Sequence, residues 1–139
     1  IYYGLLWAAL NFSSGITSYF SHYLKDKNIF LLASLALSLT IFLISFNIHY
    51  YAIILFFIIY FIRGIVTPHL RNHINLVTSS EKRATVLSIR SLIIRLSFSL
   101  TIPIFGYISE NYNISYVFIL LSFIVLIISL ISSFKLSRD

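Results

Sequence analysis

The sequence predicts an all-α fold: a polytopic transmembrane helical bundle of five spans, forming one domain over residues 1–139. Three observations lead there. Five apolar runs follow one another along the chain, each close to the roughly 20 residues that a helix needs to cross about 30 Å of hydrocarbon. The composition is 59% hydrophobic and only 10% charged, against about 25% charged in a soluble domain, and the mean hydropathy is +0.95. Most of the cations sit at the ends of the runs or between them. Membrane strands are excluded by length, since they take only about 9 to 11 residues.

The spans are expected at about 1–20, 29–46, 50–67, 84–108 and 114–134. The first carries no charge but holds Asn11, Ser13, Ser14, Gly15, Thr17 and Ser18. Small and hydroxyl residues allow close helix packing; the same cluster also suits the wall of an aqueous cavity, and both readings stay open. A loop over 21–28 follows, with His22, Lys25, Asp26 and Lys27. The second span is uncharged and ends at a tight turn near His49, with Tyr50 and Tyr51 as an interfacial aromatic pair. The third ends near Arg63 and Gly64, with Pro68 just beyond.

Residues 63–95 then form a basic connector. It contains six of the ten Lys and Arg residues, namely Arg63, Arg71, Lys82, Arg83, Arg90 and Arg95. Within it, Thr78 and Glu81 have the spacing of a capping box, which starts the fourth helix near Ser79. That helix is expected to reach about Ile108 and to bend near Pro103. A short turn holding Glu110 leads to the fifth span, and Lys135, Arg138 and Asp139 close the chain. The loop over 21–28, the connector and the tail all carry cations, whereas the turns over 47–50 and 109–113 carry none. The positive-inside rule therefore puts Ile1 outside and Asp139 in the cytoplasm, in a cell (inner) membrane. The formal charge of +6 is spread over three inner segments. It suits anionic headgroups of the lipid bilayer rather than nucleic acid.

The chain has no Cys, which removes disulfides and thiolate metal sites, and no Met. It starts within an apolar run, so a fragment of a longer chain is expected.

Residues in and around the connector carry a family likeness. Arg63-Gly64 and Pro68 end one helix. Glu81-Lys82-Arg83-Ala84-Thr85-Val86-Leu87-Ser88 opens the next, Ser91-Leu92 and Arg95-Leu96 continue it, and Pro103 with Gly106 closes it. In these residues, and in its alternation of short outer turns with basic inner loops, the whole chain resembles the carboxyl-terminal half of a major facilitator superfamily transporter, helices eight to twelve. One departure lies between the first two spans, where the acidic residue of the family's basic loop motif is absent from its usual place. The resemblance implies alternating-access movement of a small-molecule solute, bound near the midplane between this half and a missing amino-terminal half.

The candidate cavity residues are Asn11, Ser14, Thr17, Ser91 and Arg95. Arg95 is the sharpest, because an Arg at mid-span costs about 2.5–3.5 kcal/mol on a lipid face. It either anchors an anionic group of the solute or snorkels toward the inner surface from a helix longer than the membrane. Arg63, Arg83 and Arg90 read as inner-face loop or gating residues, with Arg83 and Arg90 sharing a helical face. No acid lies in any span; the four are Asp26, Glu81, Glu110 and Asp139. A proton-coupling carboxylate, where one is used, is therefore expected upstream. His69 and His73 have metal-like spacing, yet no Cys or nearby carboxylate completes a site. No GxSxG or Ser–His–acid set points to an enzyme, and no cofactor is implied. The alternative reading is a non-transporting membrane scaffold or assembly subunit, whose polar residues serve helix packing alone.

Overall fold

The structure, a computed structural model, describes residues 2–24, 29–46 and 52–136. It contains five α-helices: α1 (Tyr2–Phe20), α2 (Ile29–Phe46), α3 (Ala52–Val77), α4 (Ser80–Asn111) and α5 (Ile114–Leu136), with one 3-10 turn over Ser21–Tyr23 after α1. Residues 25–28, 47–51 and 137–139 lie outside the described residues, as do the side chains of 132–136. The interfacial Tyr50 and Tyr51, and the cations Lys25, Lys27, Lys135 and Arg138 that enter the orientation argument, fall among these.

Helices α2, α3, α4 and α5 are each long and apolar enough to cross a membrane. Helix α1 is a charge-free 19-residue helix but is not among those four. Its Asn11, its run of Ser, Gly and Thr, and its tyrosines dilute the apolar content that length alone suggests.

Two boundaries differ from the sequence expectation. Helix α3 does not stop before Pro68; the proline sits inside it and the helix continues to Val77. A proline removes the hydrogen bond to the carbonyl four residues back, here that of Gly64, and crowds that carbonyl; helices in a bundle tolerate this where neighbours support them. Beyond Pro68, Leu70 and Ile74 remain half-buried at helical spacing, and His69 Nε2 hydrogen-bonds the Ser21 carbonyl at 2.9 Å. The long connector thus shrinks to Thr78 and Ser79. The second difference is the start of α4. Its N-cap is Ser79, which makes no side-chain capping bond, so the Thr78–Glu81 capping box does not form. Shifting the cap by one residue puts Lys82 at the third helical position, and the Lys82 amide bonds the Ser79 carbonyl at 3.1 Å. Glu81 still lies in the first turn, where its charge favours the helix dipole. At the other end α4 runs to Asn111, with Pro103 inside it. Asn113 then caps α5, its Oδ1 accepting the Ser115 amide at 3.0 Å.

The helices associate as two seams. In the first, α1 and α3 run parallel. Trp7 meets Tyr60 edge to face at 6.0 Å, Thr17 meets Gly64, and Ser21 meets His69. A Cβ on Gly64 would run into the Thr17 side chain and the Ser14 carbonyl, so only glycine permits this approach. In the second, α2 and α5 run antiparallel. Ser34 and Ser129 share a hydroxyl–hydroxyl bond of 2.6 Å, and Ser38 Oγ donates to the Ser122 carbonyl at 3.0 Å. Helix α2 also touches α3, while α4 leans on α5 and barely meets α3.

The interior is rich in small hydroxyl residues. Thr17, Ser38, Thr40, Ser45, Ser122 and Ser129 are all buried, while Phe12 and Leu100 are exposed. Water would drive the reverse. In lipid, leucine gains nothing by hiding from hydrocarbon, and small residues let backbones approach closely. Each of those six hydroxyls has a hydrogen-bond partner, as an environment without water demands.

Candidate functional site

Helix α4 is built differently from the other helices. It has 32 residues and no buried residue. At about 1.5 Å per residue it is close to 48 Å long, well beyond the hydrocarbon. Its half-buried side includes Val86, Arg90, Thr101, Phe105 and Ile108, which recur at helical spacing and mark the side facing α5 and the bundle. Ser88, Ser91, Arg95 and Ser99 recur at the same spacing on a neighbouring face, and all are exposed, as is every residue from Ser91 to Leu100. Half-buried Leu87 and exposed Ser88, Ser91, Leu92 and Arg95 line a shallow depression of about 370 Å³.

Arg95 is exposed, on a stretch of α4 where every residue from Ser91 to Leu100 is exposed. Among the described residues the acids are Glu81 and Glu110, both on α4 itself. They lie 14 and 15 residues away along the sequence, or about 21 and 22 Å along the helix axis. Neither reaches the guanidinium.

The other sequence candidates are dispersed. Asn11 is exposed on α1 and its Nδ2 donates to the Trp7 carbonyl at 2.9 Å. Ser14 is half-buried. Thr17 is buried, and its hydroxyl donates to the Ser13 and Ser14 carbonyls at 2.8 and 3.1 Å. The five cavity candidates therefore form two groups, on α1 and α4, and those helices do not touch.

The inner-face arginines have separate surroundings. The Arg63 guanidinium lies 5.4 Å from the centre of the Tyr60 ring, a cation–π distance. Arg83 Nη2 donates to the Asn75 carbonyl at 3.1 Å, satisfying one of the free carbonyls in the last turn of α3; its Nε is buried without a partner. Arg90 shares the half-buried side with Arg83, so both point away from the direction of Arg95. His69 is engaged with Ser21 and His73 is exposed. Among the described residues, no three His, Cys, Asp or Glu side chains gather to hold a metal ion.

Sequence reasoning missed Ser88 and Ser99 as part of the α4 stripe. The signal was present, because 88, 91, 95 and 99 recur at the three- and four-residue steps of a single helical face. It also missed the Ser34, Ser38, Ser122 and Ser129 seam, which no spacing within one helix encodes.

The family model described as Major Facilitator Superfamily matches residues 2–139. No curated protein and no solved structure is a significant match to the chain. Members of that superfamily are transporters rather than enzymes, and the apolar helices agree with an integral membrane protein in a lipid bilayer. The family match along the chain, on an all-helical bundle with hydroxyls inside and hydrocarbon outside, identifies it as belonging to the Major Facilitator Superfamily of membrane transporters.

Proposed function

We propose that this chain is the carboxyl-terminal part, helices eight to twelve, of an alternating-access carrier of a small solute. It works with an amino-terminal half, in a cell (inner) membrane, with its carboxyl terminus cytoplasmic. The observation that carries the reading is the exposed polar stripe of α4. Ser88, Ser91, Arg95 and Ser99 share one helical face and are all exposed, and such a stripe is costly against lipid and favourable against water. Facing the other half across a solute path, it becomes a cavity wall near the midplane, where carriers of this architecture bind their cargo. Asn11 is the exposed candidate on α1, while Ser14 and Thr17 belong to the α1–α3 seam in this conformation. Arg63, Arg83 and Arg90 hold the inner ends of the helices. The scaffold reading accounts for the buried hydroxyls of the two seams but gives the α4 stripe no role.

The test is Ser91→Cys in the full-length protein, with other cysteines replaced, labelled in oriented vesicles by a membrane-impermeant maleimide. Alternating access predicts labelling from the outside in one population and from the inside in another, with conditions that favour one suppressing the other. Labelling from neither side, as for a thiol held against lipid, overturns the reading.

A further inference from the structure

The exposed α4 stripe has a chemical preference. Resting on the transport reading above, we propose that Arg95, with Ser91 and Ser88, binds a negatively charged oxygen group of the solute, a carboxylate or a phosphate. Side chains on a helix lean toward its amino end, which carries the guanidinium toward Ser91, one turn earlier. Leu87, Ser88, Ser91, Leu92 and Arg95 together line one depression. A guanidinium fork with hydroxyl donors beside it matches the oxygens of a planar carboxylate or a phosphate.

Two observations favour an anion over a neutral or cationic solute. The charge on Arg95 is uncompensated by the described acids, Glu81 and Glu110, which lie beyond the depression on the same helix, out of its reach. The stripe also offers no carboxylate to a cation; it is made of hydroxyls and one arginine. Snorkelling along lipid does not explain all the flanking residues. On the inner side of Arg95 such a path accounts for Leu87 and Leu92, but not for Ser88 and Ser91, which line the same depression.

The experiment uses the full-length protein carrying Ser91→Cys, with inorganic phosphate, acetate, succinate, glucose and choline as probes at matched ionic strength. Two readouts are followed: protection of the introduced thiol from maleimide, and thermal stability of the protein that retains Ser91. At least one of phosphate, acetate and succinate is expected to protect and to raise Tm, with glucose and choline inert. In Arg95→Gln the concentration needed should rise about ten- to hundredfold, the usual weight of a hydrogen-bonded charge. Arg95→Lys, which keeps the charge without the fork, should fall between. Reconstitution in phosphatidylcholine alone or with phosphatidylglycerol separates a solute anion from a headgroup. Protection that appears only with phosphatidylglycerol overturns the proposal. So does protection by no soluble anion, by glucose or choline alone, or unchanged protection in a folded Arg95→Gln protein. Where Arg95→Gln fails to fold, the Arg95→Lys series decides by the same criteria. Alternating labelling of the introduced thiol without anion protection removes the anion and leaves the transport reading standing; absence of labelling from both sides removes both.

Discussion

The α1–α3 and α2–α5 seams and helix α4 are made from the same ingredients, long apolar helices seeded with serine, threonine and glycine, and use them in opposite directions. In the seams the small residues point inward. Thr17 sits against Gly64, and Ser38 reaches across to the Ser122 carbonyl. In α4, Ser88, Ser91 and Ser99 share one helical face and are exposed. A polar residue in a membrane helix has two stable fates: it bonds to a neighbouring backbone, or it faces water. Residue type does not choose between them; the helical face does.

That contrast is open to breakage, most severely at Arg95. In the full-length protein in proteoliposomes, Arg95→Ala is expected to cut uptake of the transported solute by about ten- to hundredfold while membrane insertion and stability stay normal. Uptake unchanged by the substitution would place Arg95 outside the solute path. The next largest effect belongs to the α1–α3 seam. Gly64→Ala gains up to about 1 kcal/mol of helix propensity. The added Cβ, however, meets the Ser14 backbone carbonyl as well as the Thr17 side chain, and a backbone cannot swing aside. Overpacking of about 1–3 kcal/mol should therefore win, with Gly64→Val worse, seen as a lower Tm in detergent. A Tm at or above wild type would mean that the two helices separate freely. Smaller still is His69→Ala, which removes the bond to the Ser21 carbonyl and should cost about 0.5–1.5 kcal/mol. Hydrogen exchange should then rise in the part of α3 beyond Pro68, with the rest of the bundle unchanged. Smallest is Ser38→Ala. One hydroxyl bond between membrane helices contributes about 0.6 kcal/mol, so the variant should unfold only slightly earlier, and a large loss would point to a wider hydroxyl network across α2 and α5.

Much of the fold was readable because hydrophobic length is a direct physical requirement of the bilayer. Helices α2 and α5 begin at Ile29 and Ile114, the positions where their uncharged runs begin. The end of α3 was not readable. Pro68 looks like a stop by the rules of water-exposed helices, yet here the helix passes through it to Val77, supported by its contact with the turn after α1. The capping residue of α4 was misplaced by one, because Thr78 and Ser79 are both competent caps and local chemistry does not rank them. On the candidate site, Ser91 and Arg95 were visible as polar residues in an apolar run. Whether they meet a neighbouring helix depends on which side of α4 packs on α5, a tertiary fact. Thr17 shows the converse. Its sequence context left cavity and seam both open, and it lies in the seam because Gly64 stands opposite.

The central claim is that α4 turns one face to water and the rest to protein or lipid. A single-cysteine scan from Val86 to Phe105 in the full-length, otherwise cysteine-free protein tests it most directly, read by impermeant maleimide in membranes. The account predicts reactivity peaking at 88, 91, 95 and 99, with Thr101 and Phe105 shielded by protein and Leu100 silent in lipid. Reactivity that peaks at Arg90 and Thr101, or that is absent along the whole of α4, would contradict it.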